Sequence, residues 1–488
     1  MKVLFVAAEA APFAKTGGLG DVVGALPKAL RRHDIDARVV MPLYGFIDYQ
    51  HFELEHLFSF QFPRRDGLAD VHIHSCLYDD VPFYFVQTWP QFGSEASVYG
   101  GYDWDMPRFI FLCQLAMAVA WELKQHEDWF PDVFHVHDWH TGLLPFLIDY
   151  SRGDPNWANV ATIMTIHNMT FQGEYAGGWL WELGIPGRHH PDLVYQDLTD
   201  NLLAMGIAYA DAVTTVSPRY AVEIQFPYQG YGLQGLVRTR LDTLKGILNG
   251  IDVDRYNPAT DPRIAVHYNA ENFAQLRPHN KRELQLNVHL PIRPDVPLLG
   301  LVSRLEEQKG IDLLIPALRR LLSEQDVQFV ALGTGDPKLS YNLGRLGEDF
   351  DWKARTYIEF NAELAQRIYA GCDLFLMPSI FEPCGIGQMM AMHYGALPLV
   401  RETGGLADTV INYDDGPADS GTGFVFNWTE SDALYNTLLW ALDTYRNRPD
   451  AWRRMQARGM TTDFSWNKSA QAYIQLYREV KEKRSEQP

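Results

Sequence analysis

Along the chain, short runs of consecutive apolar residues alternate with stretches in which apolar side chains return every three or four positions. VLFVAA, ARVVMPL, VPFYFV, DVFHVH, ATIMTIH and AVTTVS predict strands in the first half, and PLLGLVSR, VQFVALG, TYIEF, DLFLMPS, LPLVR and GFVF predict them in the second. Segments such as IDLLIPALRRLL, lying between these runs, have helical spacing. Continuous apolar runs separated by helices are the pattern of parallel strands covered on both faces. The predicted class is therefore α/β, with two similar halves and a ligand in the cleft between them, because open parallel sheets bind at the carboxyl ends of their strands. LNGID, with its Asn-Gly turn, marks the boundary, giving domains over 1–247 and 248–488. The last segment, FSWNKSAQAYIQLYREVKEK, reads as a helix over about 465–485 that covers exposed sheet surface and can pack back on the first domain.

Composition narrows the function classes. Of 488 residues 47% are hydrophobic and 21% charged, close to a folded globular average. The net charge of −19 argues against nucleic acid as a partner, since that needs a basic face to displace counterions. An anionic small ligand then requires a local cluster of Lys and Arg. No run approaches the roughly 18 to 20 apolar residues of a membrane span, and the apolar start Val3–Ala8 is stopped by Glu9, unlike a signal peptide. Cys76, Cys113, Cys372 and Cys384 form no C-x-x-C pair, which fits a reducing compartment, the cytoplasm.

The polar motifs follow predicted strands. KTGGLGDV places Lys15, Gly17, Gly18 and Asp21 between a strand and a helix. It fits neither a dinucleotide fingerprint, whose third glycine would fall on Val23, nor a Walker loop, whose Lys follows the glycines. It is either a plain tight turn or a cradle for an anion at a helix N-terminus. HVHDWH has no aspartate where a binuclear metal site needs one, because residue 139 is Trp, so no metal is expected. His135 and His137 share one strand face and fill the core or line a site, while Asp138, Trp139 and His140 at the strand end look like sugar-contacting groups. TIHN puts His167 at another strand mouth. SRLEEQKG sets Arg304 and Lys309 around one turn, either as solvated charges or as a pair converging on a phosphate, beside the glycine turn GTGD.

With FEPCGIGQ and RETGGLADTV added, the chain resembles the bacterial glycogen synthases and plant-type starch synthases, glycosyltransferases of the GT-B fold that use ADP-glucose. KTGGLGDV, HDWH, TIHN, LNGID, SRLEEQKG, LGTGD, EPCGIGQ and TGGLADTV occur in the family's order and span nearly the whole chain. The resemblance implies two Rossmann-like domains, the first on the glucan side and the second on the nucleotide-sugar side. It implies that Lys15 contacts the donor phosphate and that Asp21 lines the donor site. It also implies that Arg304 and Lys309 stabilise departing ADP, and that Glu382, Cys384 and Gly385 contact glucose and diphosphate. Asn249 is a further cleft candidate, Gly335, Thr403, Gly404 and Gly405 are candidate substrate contacts, and Phe360 lies where the family often stacks an aromatic ring on adenine. Residue 390 is Met, so ribose binding is not assigned to a second glutamate.

The reaction so implied is transfer of glucose to the 4-OH of an α-1,4-glucan end with retention of configuration. No metal or cofactor is needed if Lys15, Arg304 and Lys309 neutralise the leaving ADP. Asp138 and Glu382 are the carboxylates in reach, but a front-face, ion-pair-like route with His167 near the reacting sugar is expected rather than a covalent intermediate. Tyr99 and Trp139 suit a polymer that stacks on rings. The rivals are an inactive glucan-binding scaffold, which would have lost the charged residues, and a phosphorylase, which would need a lysine-bound pyridoxal phosphate segment.

Overall fold

The computed structural model describes residues 1–65, 67–417 and 419–486, and its contacts divide the chain into two units, Met1–Gly250 with the segment from Trp466, and Ile251–Ser465. In the first unit, β1 (Lys2–Val6), β2 (Asp36–Pro42), β3 (Glu55–Arg64), β4 (Gly67–Tyr78), β5 (Val81–Gln87), β6 (Val133–His137), β7 (Ala161–Ile166), β8 (Ala212–Thr215) and β9 (Leu244–Gly246) form one sheet. Their order is β3-β4-β5-β2-β1-β6-β7-β8-β9. From β5 to β9 every pairing is parallel. The strands β6 and β7 are buried at every position, as a parallel sheet covered on both faces demands.

The edge differs from the expected all-parallel layout, because β3, β4 and β5 run antiparallel. The sequence reading did not include β3 and β4. Their residues alternate between a solvent face and a packed face, with Phe58 stacked on His126 and Phe62 edge-on to Phe111 of the helix Tyr102–Glu127. That alternation, diluted by histidines and serine, lacks the continuous apolar run that marked the other strands. The helix Tyr102–Glu127 is long and apolar enough by composition to cross a membrane, but 67% of its most apolar window is buried inside the protein.

The second unit has six parallel strands, β10 (Leu298–Val302), β11 (Gln328–Leu332), β12 (Ala354–Tyr357), β13 (Leu374–Met377), β14 (Leu397–Arg401) and β15 (Phe424–Phe426), in the order β12-β11-β10-β13-β14-β15. Successive side chains fall into two different cores, one on each face. Leu299, Leu301, Phe329 and Ala331 join the cluster that includes Leu314 and Leu318, whereas Leu298, Val330 and Phe375 join the one that includes Leu284. β12 lies earlier than the predicted TYIEF, so Phe360 falls beyond the strand.

The helix Trp466–Glu486 belongs to the first unit and packs on the helix Gly18–Arg31 and on β7. Polar contacts fix its register: Ser469 Oγ donates to the Leu248 carbonyl at 2.6 Å, Lys481 Nζ meets Asp132 at 2.6 Å, and Arg484 pairs with Asp211. Tyr477 Oη lies 2.8 Å from Nδ1 of the fully buried His135, whose Nε2 contacts Thr165 Oγ1 at 2.6 Å. His135 is thus a core histidine with both nitrogens partnered. Tyr477→Phe leaves one of them unpaired, and should lower unfolding stability by about 1–3 kcal/mol, read as a lower urea midpoint.

Candidate active site

Both sheets wind outward from an internal strand pair, β1/β6 in the first unit and β10/β13 in the second, and the polar motifs follow those four strands. A crevice at the carboxyl ends of such a reversing pair is where open parallel sheets hold ligands.

After β1 the chain forms the KTGG turn, but its amides do not point to an empty cradle. The buried Glu9 carboxylate accepts from the Thr16 N–H at 2.6 Å and the Gly17 N–H at 3.1 Å through Oε2, and from the Tyr99 hydroxyl through Oε1. Glu9 thus holds the KTGG turn in place, a role that sequence reasoning missed. Its only signal is a carboxylate set directly after a fully apolar strand. Lys15 Nζ pairs with Asp21 at 2.6 Å, and both side chains are substantially exposed, so the pair is open to exchange for another anion. A Cβ on Gly17 or Gly18 would meet nothing within 4 Å.

After β6, Asp138 takes up a left-handed conformation (φ 53°), uncommon for a residue with a side chain. Its Oδ1 accepts from the backbone N–H of His167 at 2.7 Å and of Asn168 at 3.4 Å, tying the ends of β6 and β7 together. Burial pushes the Asp138 carboxyl up to about 7. The His167 ring, with Nε2 3.0 Å from His137 Nδ1, is pushed down to about 3 by burial, as is that of His140. Burial likewise holds His135 and His137 well below the usual imidazole range. Among the described residues His140 Nδ1 and Asn249 Oδ1 are buried without a hydrogen-bond partner.

The expected sugar platform is corrected here. Trp139 is buried edge-on against Phe109, and His140 is sandwiched between Tyr99 and Phe109 at 5.2 and 4.8 Å, so these rings pack on one another and Trp139 offers no open stacking face. Tyr99 reaches this cluster from a distant loop, which is why a local reading of HDWH did not anticipate the burial.

In the second unit, Lys309 Nζ lies 2.6 Å from Glu382 Oε2, which also accepts from Ser379 Oγ at 3.0 Å. The pair joins the ends of β10 and β13 and is largely buried. Arg304 does not share that carboxylate: its guanidinium pairs with Glu306 at 2.7 Å and remains 53% exposed, free to turn toward a ligand. Gly335 sits in a backbone bridge to Leu305, and the Cys384 and Gly385 carbonyls accept from Gln388 Nε2 at 3.2 and 3.1 Å. Phe360 is 91% exposed.

The second TGG turn does different work from the first. Thr403 is buried, Gly404 has φ 42°, and a Cβ there would lie 2.0 Å from the Glu382 carbonyl oxygen, while one on Gly405 would lie 2.1 Å from that of Cys384. These glycines let one backbone press on another beneath Glu382.

Two doubly wound units with their charged motifs at the reversal points define a glycosyltransferase of the GT-B fold. Residues 2–239 match the family model described as starch synthase catalytic domain, and residues 285–457 match glycosyl transferases group 1. A glycogen synthase of Streptococcus gordonii is 45% identical over 98% of this chain and 100% of its own length. The catalytic domain of starch synthase IV from Arabidopsis thaliana, bound to ADP and acarbose, superposes with a TM-score of 0.88 at 32% identity, covering 98% of this chain and 99% of that one. Sucrose-phosphate synthase from Thermosynechococcus elongatus shares the fold alone, with a TM-score of 0.60 at 16% identity and 98% of each chain covered. The chain belongs to the glycogen and starch synthase family, whose members take a nucleotide-sugar donor and a glucan acceptor.

Two outcomes are expected. Gly18→Ala should leave the melting temperature nearly unchanged, whereas Gly404→Ala, strained in φ and clashing with backbone, should cost at least about 3 kcal/mol; thermal melts of the two variants decide this. The pH dependence follows from the buried groups. Below about 6.5 the unfolded chain takes up four protons on His135, His137, His140 and His167 that the folded chain refuses until far lower pH, so stability falls with acidification. Asp138 acts oppositely, because the folded state binds its proton near 7 and the unfolded state near 3.8. Four against one leaves a net loss of stability as the pH falls below 6. Asp138→Asn should be more stable than the native protein at pH 8 and show a steeper decline between pH 6 and 4, measured by urea titration.

Proposed function

We propose that the protein transfers glucose from ADP-glucose to the 4-OH at the non-reducing end of an α-1,4-glucan, with retention of configuration and release of ADP. The observation that carries this reading is the buried Lys309–Glu382 pair at the β10/β13 reversal with the exposed Arg304 beside it in sequence. ADP as the nucleotide is supported by the ADP held in the Arabidopsis thaliana starch synthase IV structure.

In this reading Arg304, Lys309 and Lys15 balance the charge that builds on ADP as the anomeric C–O bond breaks, the work a divalent ion does in other transferases, so no metal or cofactor is required. Phe360 offers its exposed ring to adenine, Cys384, Gly385 and Gly335 border the diphosphate, and Thr403, Gly404 and Gly405 support them from below. Asp21, Gly17, Gly18 and Asn249 complete the donor contacts. His167, Asp138 and His140 address the glucose, His140 through its unpartnered Nδ1. Both candidate nucleophiles are engaged: Glu382 by Lys309 and Ser379, and Asp138 by two backbone amides. A carboxylate so solvated is a poor attacking group, which favours a front-face route in which the departing ADP oxygen takes the acceptor's proton. Cytoplasmic placement fits four free cysteines.

The test is ADP release from ADP-glucose with and without glycogen, with UDP-glucose as a second donor. Glycogen-dependent release that falls by about 10²–10³ in Lys309→Ala and in Glu382→Ala is expected. Glycogen binding without turnover of either donor would instead establish a scaffold.

A further inference from the structure

The second unit contains a cavity of about 480 Å³ that shares no residue with the site above. It is bounded by the helix Phe273–Asn287 on one side and by the turn between the helices Ser431–Asn447 and Pro449–Thr461 on the other. Asp373, in its lining, immediately precedes β13 and accepts from the N–H of Leu298, the first residue of β10, at 2.9 Å. The cavity therefore lies at the amino ends of the same two strands whose carboxyl ends carry Arg304, Lys309 and Glu382. At about 3.3 Å per residue these strands hold the two places roughly 13–17 Å apart.

Its charge is unusual for this chain. Arg277, Lys281, Arg446 and Arg453 line it against only two carboxylates, Asp295 and Asp373, in a protein of net charge −19. Asp373 is already taken by the buried Lys281, at 2.7 Å. The buried Arg277 lies 3.9 Å from Asp373 and hydrogen-bonds the carbonyls of Tyr394 and Cys372, which are neutral. Arg446 is held by neutral acceptors too, Gln325 Oε1 and the Asp326 carbonyl, both at 3.0 Å. Arg453 makes one long contact, 3.4 Å, to the exposed Asp450. A concave site with surplus positive charge and apolar walls such as Phe273 and Trp452 concentrates its field on an anion.

We propose that this cavity is a second anion site, taking a phosphorylated small metabolite whose phosphoryl oxygens engage Arg446 and Arg453, with Arg277 and Lys281 as fixed positive charge behind them. A tetrahedral phosphoryl group presents several acceptor oxygens, which suits two guanidinium forks carried on successive helices. The site is separate from the donor-phosphate contacts and rests on none of them.

Isothermal titration calorimetry with inorganic phosphate and with glycerol 3-phosphate tests this, each run with ADP saturating so that donor-site phosphate contacts are already filled. The native protein is compared with an Arg446→Gln/Arg453→Gln double variant, whose changes are both at exposed positions. The native protein should bind at least one of the two probes, and the double variant should bind it about tenfold or more weakly. ADP affinity, measured on the same samples, should be equal in the two and reports separately on the reaction site. Absence of binding by the native protein, or equal probe affinity in the variant, overturns the proposal.

Discussion

A parallel sheet buried on both faces has nowhere to put polar chemistry except the ends of its strands, and this constraint organises both units. Where the winding reverses, the loops leaving two neighbouring strands diverge to opposite faces and leave a crevice. β1/β6 and β10/β13 are those pairs, and Glu9, Asp138, Lys309 and Glu382 all stand within a few residues of their ends. A carboxylate in that position must be neutralised, or hydrogen-bonded by several donors, to remain ionised out of water. Glu9 has two amides and a hydroxyl, and Glu382 has an ammonium and a hydroxyl. Asp138 has two amides and the raised proton affinity of an incompletely compensated site.

The duplicated TGG turn shows how one tripeptide serves two physical ends. In the first unit its glycines face open space, so the absence of side chains leaves room for a ligand. In the second the space is filled by protein backbone, and the glycines hold the loop that carries Glu382. Identical residues therefore leave a surface open in one place and permit close backbone packing beneath Glu382 in the other.

Much of this was legible in the chain. Strands such as VFHVH and LLGLV announced themselves because burial on both faces leaves an unbroken apolar run, and the charged motifs could be placed because they follow such runs. What escaped were features set by partners far away in sequence. The hairpin of β3 and β4 escaped because its half-exposed strands dilute the apolar signal. Glu9 looked like the residue that ends an apolar run, since nothing local shows the two amides folding back onto it. Trp139 reads as a sugar-stacking platform because Phe109, against which it is buried, comes from another segment. Lys309 and Glu382 were both singled out, yet their contact spans 73 residues and no spacing rule predicts it.

The terminal helix has a consequence for the life of the chain on the ribosome. The second unit is one continuous segment, Ile251–Ser465, and all its strands are available once that segment has emerged. The first unit, although translated earliest, lacks the partner of His135 and the cover over β7 until Trp466–Glu486 is made. Its histidine-bearing sheet must wait, incompletely covered, through the synthesis of the whole other unit. Completion of the first core thus follows synthesis of the second unit, because the helix that closes it lies beyond Ser465 in the chain.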